Sequence, residues 1–226
     1  MQNLGLDVLD WITFKRLAVG LYYTLEVAVI AIVLSLVLGI VFGWLRTLNN
    51  RPLNWVFKGY LEIVRILPTL VILYVLYYIL PSVLHVDING RVVGIIAFTF
   101  WGAAEMSDII RSSLISIPKH QRDSGLALGL NQRELFWYVL LPQAWVRALP
   151  AALNLAARII MTTSLLVLIG VQDITKVGKE IIEYATMMNN PMAPFWIYGV
   201  ILLTFFLICY PLSRLAARLA RTTHEG

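Results

Sequence analysis

Charge is scarce in this chain. Of its 226 residues, 14% are Asp, Glu, Lys or Arg, 59% are apolar, and the mean hydropathy is +0.77. A soluble domain carries about a quarter of its residues charged, so a soluble globular fold is excluded. Cysteine is nearly absent: the single Cys209 sits in an apolar run, which rules out an internal disulfide and a cysteine metal cluster. The three histidines, His85, His120 and His224, are far apart in sequence and read as solvated side chains, so no metal site is expected. No glycine loop ending in Gly-Lys-Ser/Thr occurs, nor a zinc-protease helix motif, nor a serine nucleophile elbow. The expectation is a chain that is not an enzyme, with no catalytic residue and no cofactor of its own. Residues 1–10 hold two acids and no base, so no cleaved signal peptide is expected.

What the chain has instead is long apolar runs. Several approach or exceed the roughly 20 residues that cross about 30 Å of hydrocarbon as a helix. The predicted architecture is an all-α integral membrane protein, one transmembrane domain over 1–226. Its five spans are placed at about 20–44, 57–80, 92–113, 144–168 and 194–212. Turn signals separate them: Asn49-Asn50-Arg51-Pro52, Pro81, Asn89-Gly90 and Asn189-Asn190-Pro191. Arg46, Arg51, Lys58, Arg111, Lys119, Arg122, Arg133, Arg214, Arg218 and Arg221 fall on one side, ten against the five of Lys15, Arg16, Arg91, Lys176 and Lys179. By the positive-inside rule the N-terminus is outside and the C-terminus cytoplasmic. The net charge of +5 then reads as membrane anchoring, not as nucleic-acid binding. Trp11, Trp44, Trp55 and Trp196 fall near span ends and read as interface anchors. Residues 173–188 form an amphipathic pattern, expected as a helix at the outer interface. Five spans are thin for an aqueous path, so pairing with a second copy or a relative is expected. No strong internal repeat is present.

One stretch is polar where its surroundings are greasy: residues 114–143, on the predicted cytoplasmic side. Pro118 can start a helix, and Ser124 to Leu128 offers a small-residue surface. Gly129 gives a permissive backbone for a bend. Asn131 with Glu134 three residues on is a relative of the capping box, opening a second helix. An ordered hydrophilic helix pair in a membrane protein reads as a docking site for something in the aqueous phase.

This segment resembles the EAA loop of ABC-importer permeases. Asp123-Ser124-Gly125 stands where that family has Glu-Ala-Ala, followed at matching spacing by Ala127, Gly129 and Leu141-Pro142. Tyr60-Leu61-Glu62-Ile63-Val64-Arg65 with Pro68-Thr69-Leu70 is similar to the second-span signature of the polar-amino-acid permeases. So are Asp108-Ile109-Ile110-Arg111 with Ile117-Pro118, Leu141-Pro142-Gln143-Ala144, Leu149-Pro150, Asn154 and Thr163-Ser164-Leu165, in that order over roughly residues 60–172. The resemblance implies a type I importer subunit of MetI-like transmembrane fold in a bacterial inner membrane. It further implies a cytoplasmic ATPase dimer that binds ATP and Mg, a second permease subunit of the same or a homologous chain, and an extracytoplasmic solute-binding protein. The solute would be a polar amino acid or a close relative. The chain departs from the family in Asp123 for Glu, in Ser124-Gly125 for Ala-Ala, and in Met161-Thr162 where many relatives carry Lys-Asp. A helix-interior glycine costs up to about 1 kcal/mol against alanine.

Inside the spans, Arg158 stands out, about 14 residues into the fourth span and so roughly 21 Å deep. A charge at that depth needs a partner or water. Asn154, Arg158 and Thr162 recur every four residues and share a helix face. Arg158 is open to two readings: a bidentate contact to a substrate carboxylate, or an internal ion pair with Glu105. The two can coexist, with Glu105 holding an ammonium while Arg158 holds a carboxylate, so Glu105, Asn154, Arg158, Thr162, Thr163 and Ser164 are the substrate-pathway candidates. Thr163 and Ser164 can also bond their own helix. Glu62 with Arg65, and Asp108 with Arg111, have i, i+3 spacing and read as structural or gating pairs. An ion-gradient carrier or channel using Glu105 and Arg158 is the alternative function.

Overall fold

In the computed structural model, residues 5–48 and 50–224 are described, with the side chains of 222–224 excepted. Asn49 of the first predicted turn and the His224 side chain fall outside that set. Every regular element among the described residues is helical. After a 3-10 turn at Leu6–Val8 come α1 (Trp11–Leu45), α2 (Arg51–Ile66), α3 (Thr69–Tyr74), a π-wound stretch Val75–Ile79 and α4 (Leu80–Leu84). Then follow α5 (Gly90–Ile115), α6 (Lys119–Ala127), α7 (Gln132–Glu134), a second π stretch Leu135–Leu140 and α8 (Leu141–Thr162). A 3-10 segment Thr163–Ile169, α9 (Ile174–Met187) and α10 (Ala193–His224) complete the described elements.

Among the described residues, four helical stretches are long and apolar enough to span a bilayer: Trp11–Leu45, Gly90–Ile115, Gln132–Ile169 and Ala193–Arg221. The pair Arg51–Ile66 and Thr69–Leu84 makes a fifth if counted as one broken span. The second span was expected to be continuous, and here the structure differs. Pro68 has no N–H to give and drives the residue before it out of the helical region, so Leu67 is extended at φ −75°, ψ 128°. The first span begins nine residues earlier than expected, at Trp11, and the fifth runs on past 212 to His224. Each π stretch ends just before a Leu-Pro pair, Leu80-Pro81 or Leu141-Pro142. A helical proline clashes with the carbonyl four residues back, and a wider turn relieves that clash.

By contact density the chain forms two compact units. The first comprises residues 1–31, 69–98 and 157–211. Its core joins Leu17, Ile174, Val177, Ile181, Ala193, Ile197 and Ile201 from α1, α9 and α10. The apolar face of α9 is thus covered by protein, which is why this helix shows strong amphipathic patterning without being a span. Asp173 caps it, accepting from the N–H groups of Thr175 (3.0 Å) and Lys176 (2.9 Å). Burial pushes the Asp173 carboxyl up, against the pull of those backbone donors. The N–H of Ile174 donates to Thr24 Oγ1 at 3.1 Å, and Thr24 donates in turn to the Gly20 carbonyl at 3.0 Å. A side chain of α1 therefore helps to cap α9, and it can do so because the two backbones nearly touch. A β-carbon at Gly20 would lie 2.9 Å from Ile174 Cα.

That contact gives a prediction opposite in sign to helix propensity. Gly20→Ala is expected to destabilise by about 1–3 kcal/mol through overpacking. Gly59→Ala, with nothing within 4 Å of the added carbon, should gain about 0.5–1 kcal/mol. Thermal unfolding of the two variants in detergent checks this; equal shifts in one direction would refute the close-contact account.

The second unit comprises residues 32–68, 99–156 and 212–226. Here α1 meets α5 through small residues at four-residue spacing. Ser35 donates to the Thr99 carbonyl at 3.4 Å, Gly39 lies against Met106, and Gly43 lies against Ile110. Small residues let helix backbones approach where no hydrophobic force drives them together. Leu61 and Val64 of α2 pack on Ala104, and Tyr60 donates to the Phe100 carbonyl. Of the four tryptophans expected at the interface, Trp44 sits 5.1 Å from the Phe136 ring, and Trp196 lies against the first unit's core. Trp11 and Trp55 are exposed.

Candidate functional site

The polar segment 114–143 lies wholly in the second unit. Ile117 and Pro118 lead out of α5 into α6, where Pro118 stands as N-cap. After Ala127 the chain turns in a Schellman arrangement. Leu130 N–H reaches back to the Gly125 carbonyl (3.2 Å), Gly129 N–H reaches Leu126 (3.0 Å), and Gly129 takes φ +84°. Asn131 then caps α7, accepting from the N–H groups of Arg133 and Glu134, both at 3.0 Å. Glu134 Oε2 accepts from the Asn131 N–H at 2.9 Å, so the capping box predicted from the sequence is complete. Arg122 donates to Gln132 Oε1 at 3.2 Å, across the turn. From α8, Arg147 donates to the Ser116 carbonyl at 2.6 Å, tying the segment's entry to its exit.

The two small residues of the motif point in different directions. Ser124 is exposed with Asp123 and Ala127, whereas Gly125 is buried. A β-carbon at Gly125 would meet Leu135 Cδ1 at 2.5 Å, so its smallness seats α6 on the π stretch and is not presented outward. Leu141 is half-buried and Pro142 exposed. The outward face carries a residue that sequence reasoning passed over: Leu128, 82% exposed, at the apex beside Gly129. Its signal was available, being a large apolar side chain next to a turn glycine in an otherwise polar segment.

Beside this segment lies a charged cluster. Asp108 of α5 accepts from Arg65 of α2 at 2.7 Å and from Arg46, just past α1, at 3.2 Å. Arg46 also donates to Ser107 Oγ at 3.1 Å, and Arg65 reaches Glu105 at 3.5 Å. One carboxylate thus holds three helical segments together. The i, i+3 pairings expected from sequence are replaced: Glu62 sits 3.9 Å from Lys58, and Arg65 turns to α5. Arg111 makes no ion pair among the described residues. Long side chains on a neighbouring helix outreach the local partner, and sequence spacing alone does not reveal that neighbour.

On α8, Asn154 and Arg158 are exposed within this chain, and Thr162 donates to the Arg158 carbonyl at 2.7 Å. Thr163 and Ser164 donate to the carbonyls of Ile160 (2.6 Å) and Met161 (2.9 Å), the own-helix bonding expected of them. Thr163 is fully buried. Among the described residues no group of three or more His, Cys, Asp or Glu is placed to hold a metal.

Helices long and apolar enough to span a bilayer, with a capped polar helix pair in the second unit, define an integral membrane subunit. The sequence pattern of the binding-protein-dependent transport system inner membrane component matches residues 35–222. The chain belongs to that family and is a multi-pass permease subunit of an ABC importer. It is 31% identical over 201 residues to the glutamine transport permease GlnP of Escherichia coli, covering 87% of this chain and 92% of that one. It is 30% identical over 175 residues to the L-cystine transport permease TcyB of Bacillus subtilis, covering 77% and 74%. Its fold matches a crystal structure of an amino acid ABC transporter with histidines (TM-score 0.78, 21% identity, 94% of this chain and 98% of that one). It also matches an inward-facing methionine ABC transporter, MetNI (TM-score 0.78, 17% identity, 95% and 99%). In such importers ATP is hydrolysed on a separate subunit. The gradient-driven alternative gains nothing from these likenesses.

Proposed function

We propose that this chain carries a polar amino acid or a close derivative into the cytoplasm of a bacterium, across its inner membrane, with its N-terminus outside and its C-terminus inside. The exposed face of α6, ending at Leu128, is the docking surface for a cytoplasmic ATPase dimer that binds ATP and Mg. Asp123, Ser124 and Ala127 line that face, while Gly125, Gly129, Leu141 and Pro142 shape it. The observation that carries this reading is the construction of the segment: a buried glycine seat, a Schellman turn and a full capping box hold an apolar apex out in water. The described residues of the second unit leave that apex 82% exposed. A rigid lever of this kind transmits a push, where a flexible loop would absorb it.

A second permease subunit, the same chain or a homologue, completes the pathway. Only 17% of the most apolar window of α10 is buried in this chain, which leaves ample surface for that partner and for lipid. An extracytoplasmic binding protein delivers the solute. The Asn154, Arg158 and Thr162 stripe, with Thr163 and Ser164, is the candidate solute path, in which Arg158 binds the carboxylate. Glu105 is a further candidate of that path, while Glu62, Arg65, Asp108 and Arg111 form the structural or gating set.

Mild-detergent purification with mass spectrometry and an ATPase assay tests the assembly. A nucleotide-binding partner in the preparation is expected; a lone, ATPase-free oligomer that moves solute down an ion gradient would overturn the proposal. Arg158→Ala is expected to cut solute uptake at least tenfold while basal ATP hydrolysis and assembly stay within about twofold, the loss of one charge-assisted bond being worth about 1.5–3 kcal/mol. Equal loss of assembly and uptake would instead assign Arg158 a structural role.

A further inference from the structure

The second unit contains a cavity of about 510 Å³ that the docking role does not use. Arg46, Arg111, Lys119 and Arg122 line it, and no carboxylate does. Arg46 is balanced from outside the lining by Asp108. Arg111 and Lys119 make no ion pair among the described residues, and the side chain of Arg122 meets only the neutral Gln132. Three positive charges therefore line one hollow with no carboxylate partner among the described residues, Lys119 and Arg122 from its exposed rim. Such convergence costs free energy that a bound anion would recover.

The rest of the wall is apolar and includes Leu114, Ile115 and Phe136. The cavity is framed by the last residues of α5 and the residues following α1, both helices long and apolar enough to span a bilayer. The end of a span is where hydrocarbon gives way to headgroups. A free phosphate would satisfy the cations and leave the apolar wall wet. A phosphate carrying acyl chains satisfies both.

We propose that this cavity binds the headgroup of an anionic phospholipid, with Arg111, Lys119 and Arg122 on the phosphate. Basic pockets among membrane helices are suited to such headgroups. Lys119 and Arg122 belong to α6, so lipid occupancy bears on the same helix that carries the exposed Leu128 apex. The inference needs only that the chain is a membrane protein. It stands or falls separately from the importer assignment.

The test is native mass spectrometry of the full-length chain, with its co-purifying partners, titrated with phosphatidylglycerol or phosphatidylcholine of identical acyl chains. Phosphatidylglycerol is expected to bind roughly tenfold or more tighter, and the triple variant Arg111→Gln, Lys119→Gln, Arg122→Gln should remove that preference. If the triple variant is not monodisperse, the single variants are read instead, each expected to weaken phosphatidylglycerol severalfold. Millimolar inorganic phosphate should leave the lipid in place. Equal retention of the two lipids, or an unchanged preference in the variants, overturns the proposal. Displacement by inorganic phosphate reassigns the cavity to a free anion. Protection of Lys119 from acylation by a bound ATPase but not by lipid reassigns it to a protein contact.

Discussion

Gly129→Pro is expected to abolish solute-stimulated ATP hydrolysis in the reconstituted importer while the chain still inserts and purifies. Gly129 holds φ at +84°, whereas proline is locked near −65°, and its N–H bond to the Leu126 carbonyl would be lost as well. The turn would have to rebuild, taking with it the Schellman bond from Leu130 and the direction in which α7 leaves. Loss of the turn moves Leu128 and the whole outward face of α6, so coupling should fall by more than about tenfold. A graded series separates this from mere damage. Gly129→Asn tolerates the left-handed region and should keep most activity, while Gly129→Ala pays about 1–2 kcal/mol there and should fall between. The spans lie outside the turn, so yield and monodispersity should hardly change. Solute-stimulated ATPase at the native level in Gly129→Pro would defeat the docking assignment.

Asp108→Ala should be the most destabilising single substitution of a polar residue in the second unit. It strands Arg46, whose side chain is 12% exposed, together with Arg65, and unties α1 and α2 from α5. Removing one partner of a fully buried ion pair costs about 3–5 kcal/mol. Asp108 and Arg65 are 38% and 49% exposed, so water recovers part of that loss and about 1–3 kcal/mol is expected. Thermal unfolding in detergent reads it, and the shift should shrink when Arg46→Gln is combined with Asp108→Asn. Full additivity of the two substitutions would show that the ion pair carries no coupling energy. Glu62→Ala is the contrast. Its partner Lys58 is 3.9 Å away with both side chains exposed, and no measurable change in stability is expected.

The local features were legible before any coordinates. The Asn131–Glu134 box, the bend at Gly129, the start at Pro118 and the helix after Asp173 depend on backbone chemistry within a few residues, and the structure has them all. The own-helix bonds of Thr163 and Ser164 belong to the same class. The break at Leu67-Pro68 was legible too, since proline rules apply as well within an apolar run as outside one. Apolar length outweighed it in placing a continuous second span.

Sequence by itself determined that this protein lives in a membrane, that it carries several runs long enough to span one, where the polar helix pair lies and how it is capped, because apolar run length and short-range hydrogen bonding are local properties. Tertiary structure alone decided the rest. It turned Gly125 inward onto Leu135, gave Arg65 to Asp108 instead of Glu62, buried the face of α9 against α1 and α10, and gathered Arg111, Lys119 and Arg122 around one cavity. Each of these depends on which residues far apart in the chain come within a few ångströms, and a long side chain pairs with whatever helix packing puts in reach.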